Sequence, residues 1–101
     1  MSIELNSRQR AKLRGMAMNI KPAVHIGRQG LGPSLVREIS IALDRDELVK
    51  VRVATETREE RAGIVSEIAD QTNSCMCGAT GATACFYRPS KQKLIDLSKE
   101  Q

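Results

Sequence analysis

The chain has 101 residues, 41% of them hydrophobic, which allows one domain with a modest core and argues against an elaborate enzyme cleft. Its two aromatic residues, Phe86 and Tyr87, are too few for modules that stack nucleobases on aromatic platforms. The net charge of +4 is divided unevenly, with +6 on residues 1–37, −4 on residues 38–70 and +2 on residues 71–101, a pattern that suits a polyanionic partner.

Hydrophobic periodicity predicts seven elements in the order α-β-α-β-α-β-β. The helices are predicted over residues 7–18, 33–43 and 57–72, and the strands over residues 23–26, 48–55, 75–79 and 83–88. This order predicts a two-layer α/β fold, in which the helices cover one face of a four-stranded mixed sheet. Residues 1–97 are expected to form a single domain, and residues 98–101 a flexible C-terminal end.

The first predicted helix is both amphipathic and basic. Its apolar face includes Leu13 and Ala17, and basic side chains four residues apart form ridges beside that face. These ridge pairs are Arg8 with Lys12 and Arg10 with Arg14. The helix is expected to run to about Met18, and Lys21-Pro22 ends this element, because the residue before a proline disfavours helical geometry.

A glycine-flanked loop of Gly27, Arg28, Gln29 and Gly30 follows the first strand and precedes a helix that starts at Pro33. Glycines let the backbone turn tightly and approach another molecule, and the N–H groups of a helix start favour an anion. The pattern predicts a phosphate contact like that of KH-type GXXG loops. Glycines needed for geometry alone remain the alternative, and the spacing excludes a Walker-type nucleotide loop.

The second strand and third helix are expected to present opposite charges. In residues 48–55 the valines alternate with Lys50 and Arg52, which predicts one covered and one solvated face. Thr57 and Glu60 form a capping box for the third helix. The carboxylates of this helix are expected to face solvent.

The three cysteines are most simply small core residues. Cys75 and Cys77 share one face of a predicted strand, and a hairpin centred on Gly81 would place Cys85 opposite Cys77. A Cys-x-Cys pair lacks the spacing of structural zinc sites, even with His25 as a fourth ligand. His25 itself is expected to face solvent. An odd number of cysteines and no export signal argue against a disulfide framework.

Several classes of function are not indicated. No nucleophile is visibly paired with a base, so the chain is not expected to be an enzyme or to need a cofactor, metal or small-molecule substrate. It contains no signal peptide and no apolar run of membrane-spanning length, so a cytoplasmic protein is expected. A monomer is the expected state.

Five short sequence motifs resemble those of the CRM domain (chloroplast RNA splicing and ribosome maturation) in its stand-alone bacterial YhbY-like form. They are Leu13-Arg14-Gly15, Lys21-Pro22, Ile26-Gly27-Arg28-Gln29-Gly30-Leu31, Glu47-Leu48-Val49-Lys50-Val51-Arg52 and Phe86-Tyr87-Arg88-Pro89. The resemblance spans nearly the whole chain. It implies a fold like the C-terminal domain of translation initiation factor 3, binding to ribosomal RNA, association with large-subunit precursors and a role in ribosome assembly.

Within that family the GXXG loop is regarded as the RNA contact, supported by the basic surface nearby. The candidate RNA contacts are Gly27, Arg28, Gln29, Gly30, Arg8, Lys12, Arg14, Lys21, Lys50, Arg52 and Arg88. This chain departs from the family in two places. Gly81-Ala82 lacks the lysine that often follows the glycine, which removes one possible phosphate contact. Cys75, Cys77, Ala79 and Cys85 stand where the family usually has aliphatic residues, so we expect a less stable or oxidation-sensitive hairpin. An Alba-like nucleic-acid binder and a protein-interaction or redox-regulated accessory factor remain alternatives.

Overall fold

The computed structural model of the chain describes residues 4–100 as three helices and a four-stranded mixed sheet. In chain order the elements are α1 (Ser7–Ala17), β1 (Val24–Ile26), α2 (Pro33–Asp46), β2 (Leu48–Val53), α3 (Arg58–Thr72), β3 (Cys75–Thr80), β4 (Thr83–Tyr87) and a 3₁₀ helix (Ser98–Glu100). The sheet order is β1-β2-β4-β3, with β1 and β2 parallel and the other pairs antiparallel. The predicted α/β fold and element order are confirmed.

Local signals in the sequence account for the helix ends. A capping box starts α1: the Asn6 side chain accepts from Gln9 N at 2.8 Å, and the Gln9 side chain accepts from Asn6 N at 3.0 Å. Thr57 caps α3 by accepting from Glu60 N at 3.1 Å. The second helix runs to Asp46, beyond its predicted end, because the chain first leaves helical geometry at Glu47, where φ is 67°.

The larger core lies between one face of the sheet and the helices α2 and α3. The inward valines of β2 pack there with Ile39 and Leu43 from α2 and Ile68 from α3. Strict alternation in β2 therefore predicted this buried face correctly, but the opposite face is exposed only at Arg52, because Leu48 is buried under α1 and Lys50 is half-buried.

A second, smaller core lies on the opposite face of the sheet, under α1. Leu13 and Ala17 from α1 pack there against Leu48, Cys85 and Tyr87. The expectation that all helices cover one face was therefore wrong. The physical reason is that the β4–β3 side of the sheet is apolar on both faces, so a helix is needed on each.

The helix α1 covers only part of the sheet face on which it packs. His25 and Arg52, at the β1 side of the sheet, are exposed. The single helix thus leaves a strip of the sheet open to solvent next to the loop that follows β1.

The segment after β4 is tied to the domain through Glu47 and Lys12. Backbone N–H groups of residues 90, 94 and 95 donate to the Glu47 carboxylate, and Lys12 Nζ donates to Asp96 O at 2.8 Å. Lys12 also pairs with Glu100 at 3.3 Å. The predicted boundary at residue 97 and the flexible end stay predictions. Residues 1–3 and 101 of those segments lie outside the described residues.

Candidate nucleic-acid interface

The loop of Gly27, Arg28, Gln29 and Gly30, called the GXXG loop below, is a tight turn at the end of β1. Gly30 N donates to Gly27 O at 3.1 Å, and Gly30 has a φ of +73°, which favours glycine. A Cβ built at Gly27 would meet only Gln29 Oε1, at an ordinary 3.5 Å. The backbone therefore favours glycine at position 30, whereas position 27 is open for close approach by another molecule.

The start of α2 adds hydrogen-bond donors beside the loop. The N-cap is Gly32, no side chain caps the helix, and Pro33 occupies its first turn. The first N–H groups of a helix have no partner within it and lie at the positive end of its dipole. With the exposed side chain of Arg28, this end of the molecule can hold an anionic group.

The exposed sheet face continues the positive charge away from the loop. His25 and Arg52 are register partners across β1 and β2, and Arg52 is in turn the partner of Thr83 on β4. Lys50, two residues before Arg52 on the same face, is half-buried and donates from Nζ to Ile20 O at 3.3 Å. We call Arg28, His25, Arg52 and Lys50 the basic strip.

Two further predicted residues lie beyond the Lys50 end of the basic strip. Lys21 is exposed just before β1, and Ala23 N donates to Lys50 O at 2.8 Å, which holds this segment beside β2. Arg14 reaches from α1 across Gly78, where a built Cβ would lie 2.4 Å from Arg14 Cγ and Cδ. Arg14 Nη1 also donates to Cys77 O at 3.4 Å. Gly78 thus permits the close packing of Arg14 against the sheet.

The other predicted residues of α1 lie on a different side of the helix. Lys12 is engaged with Asp96 and Glu100 of the C-terminal segment. Arg8 is exposed, one helical turn before Lys12 on the same side. The structure therefore does not group Arg8 and Lys12 with the basic strip.

Arg88 is built into the fold at the opposite end of α2 from the GXXG loop. Its Nη1 donates to Thr72 O at 2.6 Å, and its Nη2 donates to Ser40 O at 2.8 Å and to Asp44 Oδ1 at 2.6 Å. The side chain is only 18% exposed. The geometry assigns Arg88 to holding α2 and the end of α3 against β4, a role that its sequence position does not reveal.

A cleft between the GXXG loop and α3 has the opposite charge. Arg28 lies at one wall, and Glu56, Glu60 and Glu67 line the other side. Glu60 and Glu67 are two of the α3 carboxylates that were expected to be exposed, and the structure confirms this, but the position of the three acids facing the loop was not predicted. A polyanion is repelled from this side, so the field around the loop favours approach over the basic strip.

Within residues 4–100 the structure holds no group of three or more histidine, cysteine or acidic side chains placed to bind a metal ion. Over the same residues, no helix combines the length and apolar character needed to cross a membrane.

Comparisons with known proteins match one family model and several relatives. A model of the CRS1/YhbY (CRM) domain matches residues 5–88. An RNA-binding protein of Haemophilus influenzae is 33% identical over 95% of this chain and 97% of its own length. The probable RNA-binding protein YqeI of Bacillus subtilis is 28% identical over 92% of this chain and 98% of its own length.

A solved structure shares the fold. The solution structure of a Staphylococcus aureus protein, described there as a proposed RNA-binding protein, superposes with a TM-score of 0.78. The two chains are 26% identical, and the match covers 97% of this chain and 98% of the other.

Proposed function

This chain belongs to the CRS1/YhbY (CRM) domain family, and we propose that it is an RNA-binding protein that holds the RNA backbone with the GXXG loop and the basic strip. The matched relatives named as RNA-binding proteins support RNA as the partner. The open position at Gly27 beside Arg28 is the observation that carries the choice of site.

The arrangement suits a phosphate chain better than a compact ligand. The GXXG loop supplies backbone donors and one full charge, and Arg52 and Lys50 extend the positive charge along β2. Successive phosphates can therefore be met by separate groups along the strip. Each phosphate neutralised by a cation adds to the salt dependence of binding, so the affinity should fall steeply as salt is raised.

We test the site by titrating labelled structured RNA with the Arg28→Ala variant and following fluorescence anisotropy. The matched control is Arg45→Ala, because Arg45 is also exposed but lies in the last turn of α2, about 20 Å along the helix from the loop. We expect Arg28→Ala to weaken binding about tenfold and to flatten the salt dependence, whereas Arg45→Ala changes little. Equal losses in both variants would exclude the loop as the site.

We further propose that the RNA is ribosomal RNA in precursors of the large subunit, and that the chain acts there in the cytoplasm as a monomer, without a small-molecule substrate. This finer assignment follows from the resemblance of the five short sequence motifs to the CRM domain family. Sedimentation of cell extract, with an antibody to the chain, should find it in large-subunit precursor fractions. Release of the chain by nuclease supports RNA contact, and retention indicates a protein-interaction role instead.

Competition with duplex DNA separates RNA recognition from general nucleic-acid binding. At matched salt, structured RNA should displace the labelled RNA at a lower concentration than duplex DNA does. Equal competition favours an Alba-like binder that reads only the phosphate charge.

A further inference from the structure

A groove separates α3 from the β3–β4 hairpin, on the face of the sheet that α2 and α3 cover. Its volume is about 650 Å³. Short side chains on both walls leave this space open, namely Ala62, Ser66 and Ala69 on α3 and Ala79 and Ala84 on the hairpin. Both rims are exposed, at Ala62 on one side and at Ala79 on the other. Another molecule can therefore enter the groove along its length.

Apolar side chains form much of the inner surface of the groove. Val65 and Met76 are half-buried and pack against the larger core, and the buried Val53 also lines the groove. An apolar side chain that enters here extends that core and removes apolar surface from water on both partners. The α3 rim runs from Arg58 to Ser66, about 12 Å along the helix, a distance that about four residues of extended chain can cover.

The charge of the groove is positive. Among the described residues that line it, the charged ones are Arg58 and Arg61. Glu60 and Glu67 lie on the other side of α3, where they line the acidic cleft beside the GXXG loop. The helix thus presents carboxylates toward the loop and arginines toward the groove, so the groove favours a ligand of negative charge.

Arg61 has a hydrogen-bond donor to spare at one end of the groove. Its Nη1 donates to Gly81 O at 2.6 Å, which holds the guanidinium at the tip of the hairpin. Its Nε is buried and has no hydrogen-bond partner among residues 4–100, an uncommon state for a buried N–H group. Nε and Nη2 lie on one edge of the guanidinium, and a carboxylate can accept from both together. A small rotation of Arg61 brings that edge to an acidic group in the groove.

Pairing of a partner strand with the neighbouring sheet edge is disfavoured. Although β3 is an edge strand, it carries a bulge between Met76 and Gly78. The bulge places Gly78, rather than Cys77, in register with Cys85, which corrects the predicted Cys77–Cys85 register. Arg14 Nη1 also donates to Cys77 O at 3.4 Å. Because bulges protect an edge from strand addition, a partner is expected to dock through side chains in the groove.

We propose that the groove binds a short acidic segment of a partner protein, whose apolar side chains enter the groove and whose carboxylate pairs with Arg61 and Arg58. A protein segment fits better than a compact ligand, because the groove is open along its length and a bound chain covers it. The surface lies on the other side of α3 from the GXXG loop. It does not depend on the proposed RNA contact, and the domain can hold RNA and this partner together.

The test follows the backbone amide signals of isotope-labelled chain by NMR while capped synthetic peptides are added. The probe is Leu-Ser-Leu-Asp-Asp, with two leucines on one side of an extended chain and carboxylates at one end. Leu-Ser-Leu-Lys-Lys reverses its charge, and Ser-Ser-Ser-Asp-Asp removes its apolar groups. We expect saturable shifts at Ala62, Ala79 and Gly81 with the probe, and binding at least about fivefold weaker with either control peptide. No saturation by about 5 mM probe, or shifts confined to the GXXG loop and the basic strip, overturns the proposal.

Variants assign the binding to the groove. Ala62→Trp fills the groove from an exposed position and should abolish the peptide shifts while the RNA affinity stays unchanged. Arg58→Glu reverses an exposed charge and should weaken the acidic probe about tenfold. Arg37→Glu is the matched control, because Arg37 is exposed on α2 and lies outside the groove, and it should change little. Full peptide affinity in Ala62→Trp or in Arg58→Glu overturns the proposal.

Two other occupants of the groove are outcomes of the same measurements. If the groove amides shift with protein concentration in the absence of peptide, the groove is an interface between two copies of this chain. If structured RNA displaces the bound probe from the groove, the groove belongs to the RNA site. Either result overturns the proposal, whereas simultaneous binding of RNA and probe supports it.

Discussion

The carboxylate of Glu47 accepts two hydrogen bonds from Ser90, from the backbone N at 2.9 Å and from the hydroxyl at 2.5 Å. Two more backbone N–H groups, of Leu94 and Ile95, donate to the same carboxylate at 2.9 Å. Glu47 is fully buried, so this acid replaces its lost hydration entirely with bonds to a segment more than 40 residues away.

The first prediction concerns stability in acid. Burial acts to raise the pKa of Glu47, but the bonds from Ser90, Leu94 and Ile95 outweigh it and lower the pKa from 4.5 to about 2. A depressed folded-state pKa means that the stabilisation is complete above about pH 4.5 and is lost as the pH falls toward 2. Two to three pKa units correspond to about 3 kcal/mol of unfolding free energy.

Urea unfolding between pH 2 and 7 measures this contribution. Glu47→Gln should unfold with about 2 to 3 kcal/mol less free energy at pH 7 and should lose less stability than wild type on acidification. Glu38→Gln, which neutralises an exposed carboxylate on the same helix, is the control and should stay within about 0.5 kcal/mol of wild type. Parallel acid profiles for wild type and Glu47→Gln would contradict this role.

The second prediction separates a structural from an RNA-contacting Arg88. Arg88→Ala removes the donors to Ser40, Thr72 and Asp44. The exposed Asp44 carboxylate can bind water instead, but the carbonyl of the buried Thr72 loses this partner, so we expect a loss of about 2 to 4 kcal/mol. The RNA affinity of the fraction that remains folded should be unchanged. The Arg88→Lys variant should be measured well below its melting temperature, where it is fully folded. If it binds RNA more weakly than wild type there, Arg88 contacts RNA directly.

The hydrogen-bond partners of Glu47 and Arg88 could not be predicted from the sequence, whereas several features of the fold could. The element order, the Thr57 cap and the β2 alternation follow from patterns a few residues long, and all were predictable. The partners of Glu47 and Arg88 are 16 to 48 residues away along the chain, so their spacing gives no local signal. The position of α1 on the second sheet face was missed for a related reason. Alternation predicts that a strand has two unlike faces, but not which helix covers either of them.

The third prediction distinguishes the two glycines of the GXXG loop. Gly30→Ala must hold a φ near +73° with a Cβ and should cost about 1 kcal/mol of stability. Gly27→Ala meets no close neighbour and should leave the melting temperature almost unchanged. If RNA approaches the backbone here, Gly27→Ala still weakens binding, and Gly27→Asp weakens it more because it adds a negative charge.

Thermal unfolding and RNA titration of the same preparations give both readouts for these variants. Full RNA affinity in stable Gly27→Asp would exclude contact at this position. A large loss of stability in Gly27→Ala would instead favour the interpretation that both glycines serve the turn alone.

The last prediction concerns the direction from which RNA approaches. Glu67 lines the acidic cleft opposite Arg28 and accepts a hydrogen bond from Gln71 Nε2 at 3.0 Å. If RNA lies along the basic strip, Glu67→Gln acts only through the long-range field. It should then raise affinity about two- to threefold at low salt and have no effect at high salt, where screening is strong. If RNA enters the cleft, the carboxylate contacts phosphate directly, and its removal should raise affinity tenfold or more at both salt concentrations. Anisotropy titrations of Glu67→Gln beside Glu38→Gln therefore decide the approach, because both variants remove one charge from an exposed helix position and only one lies in the cleft.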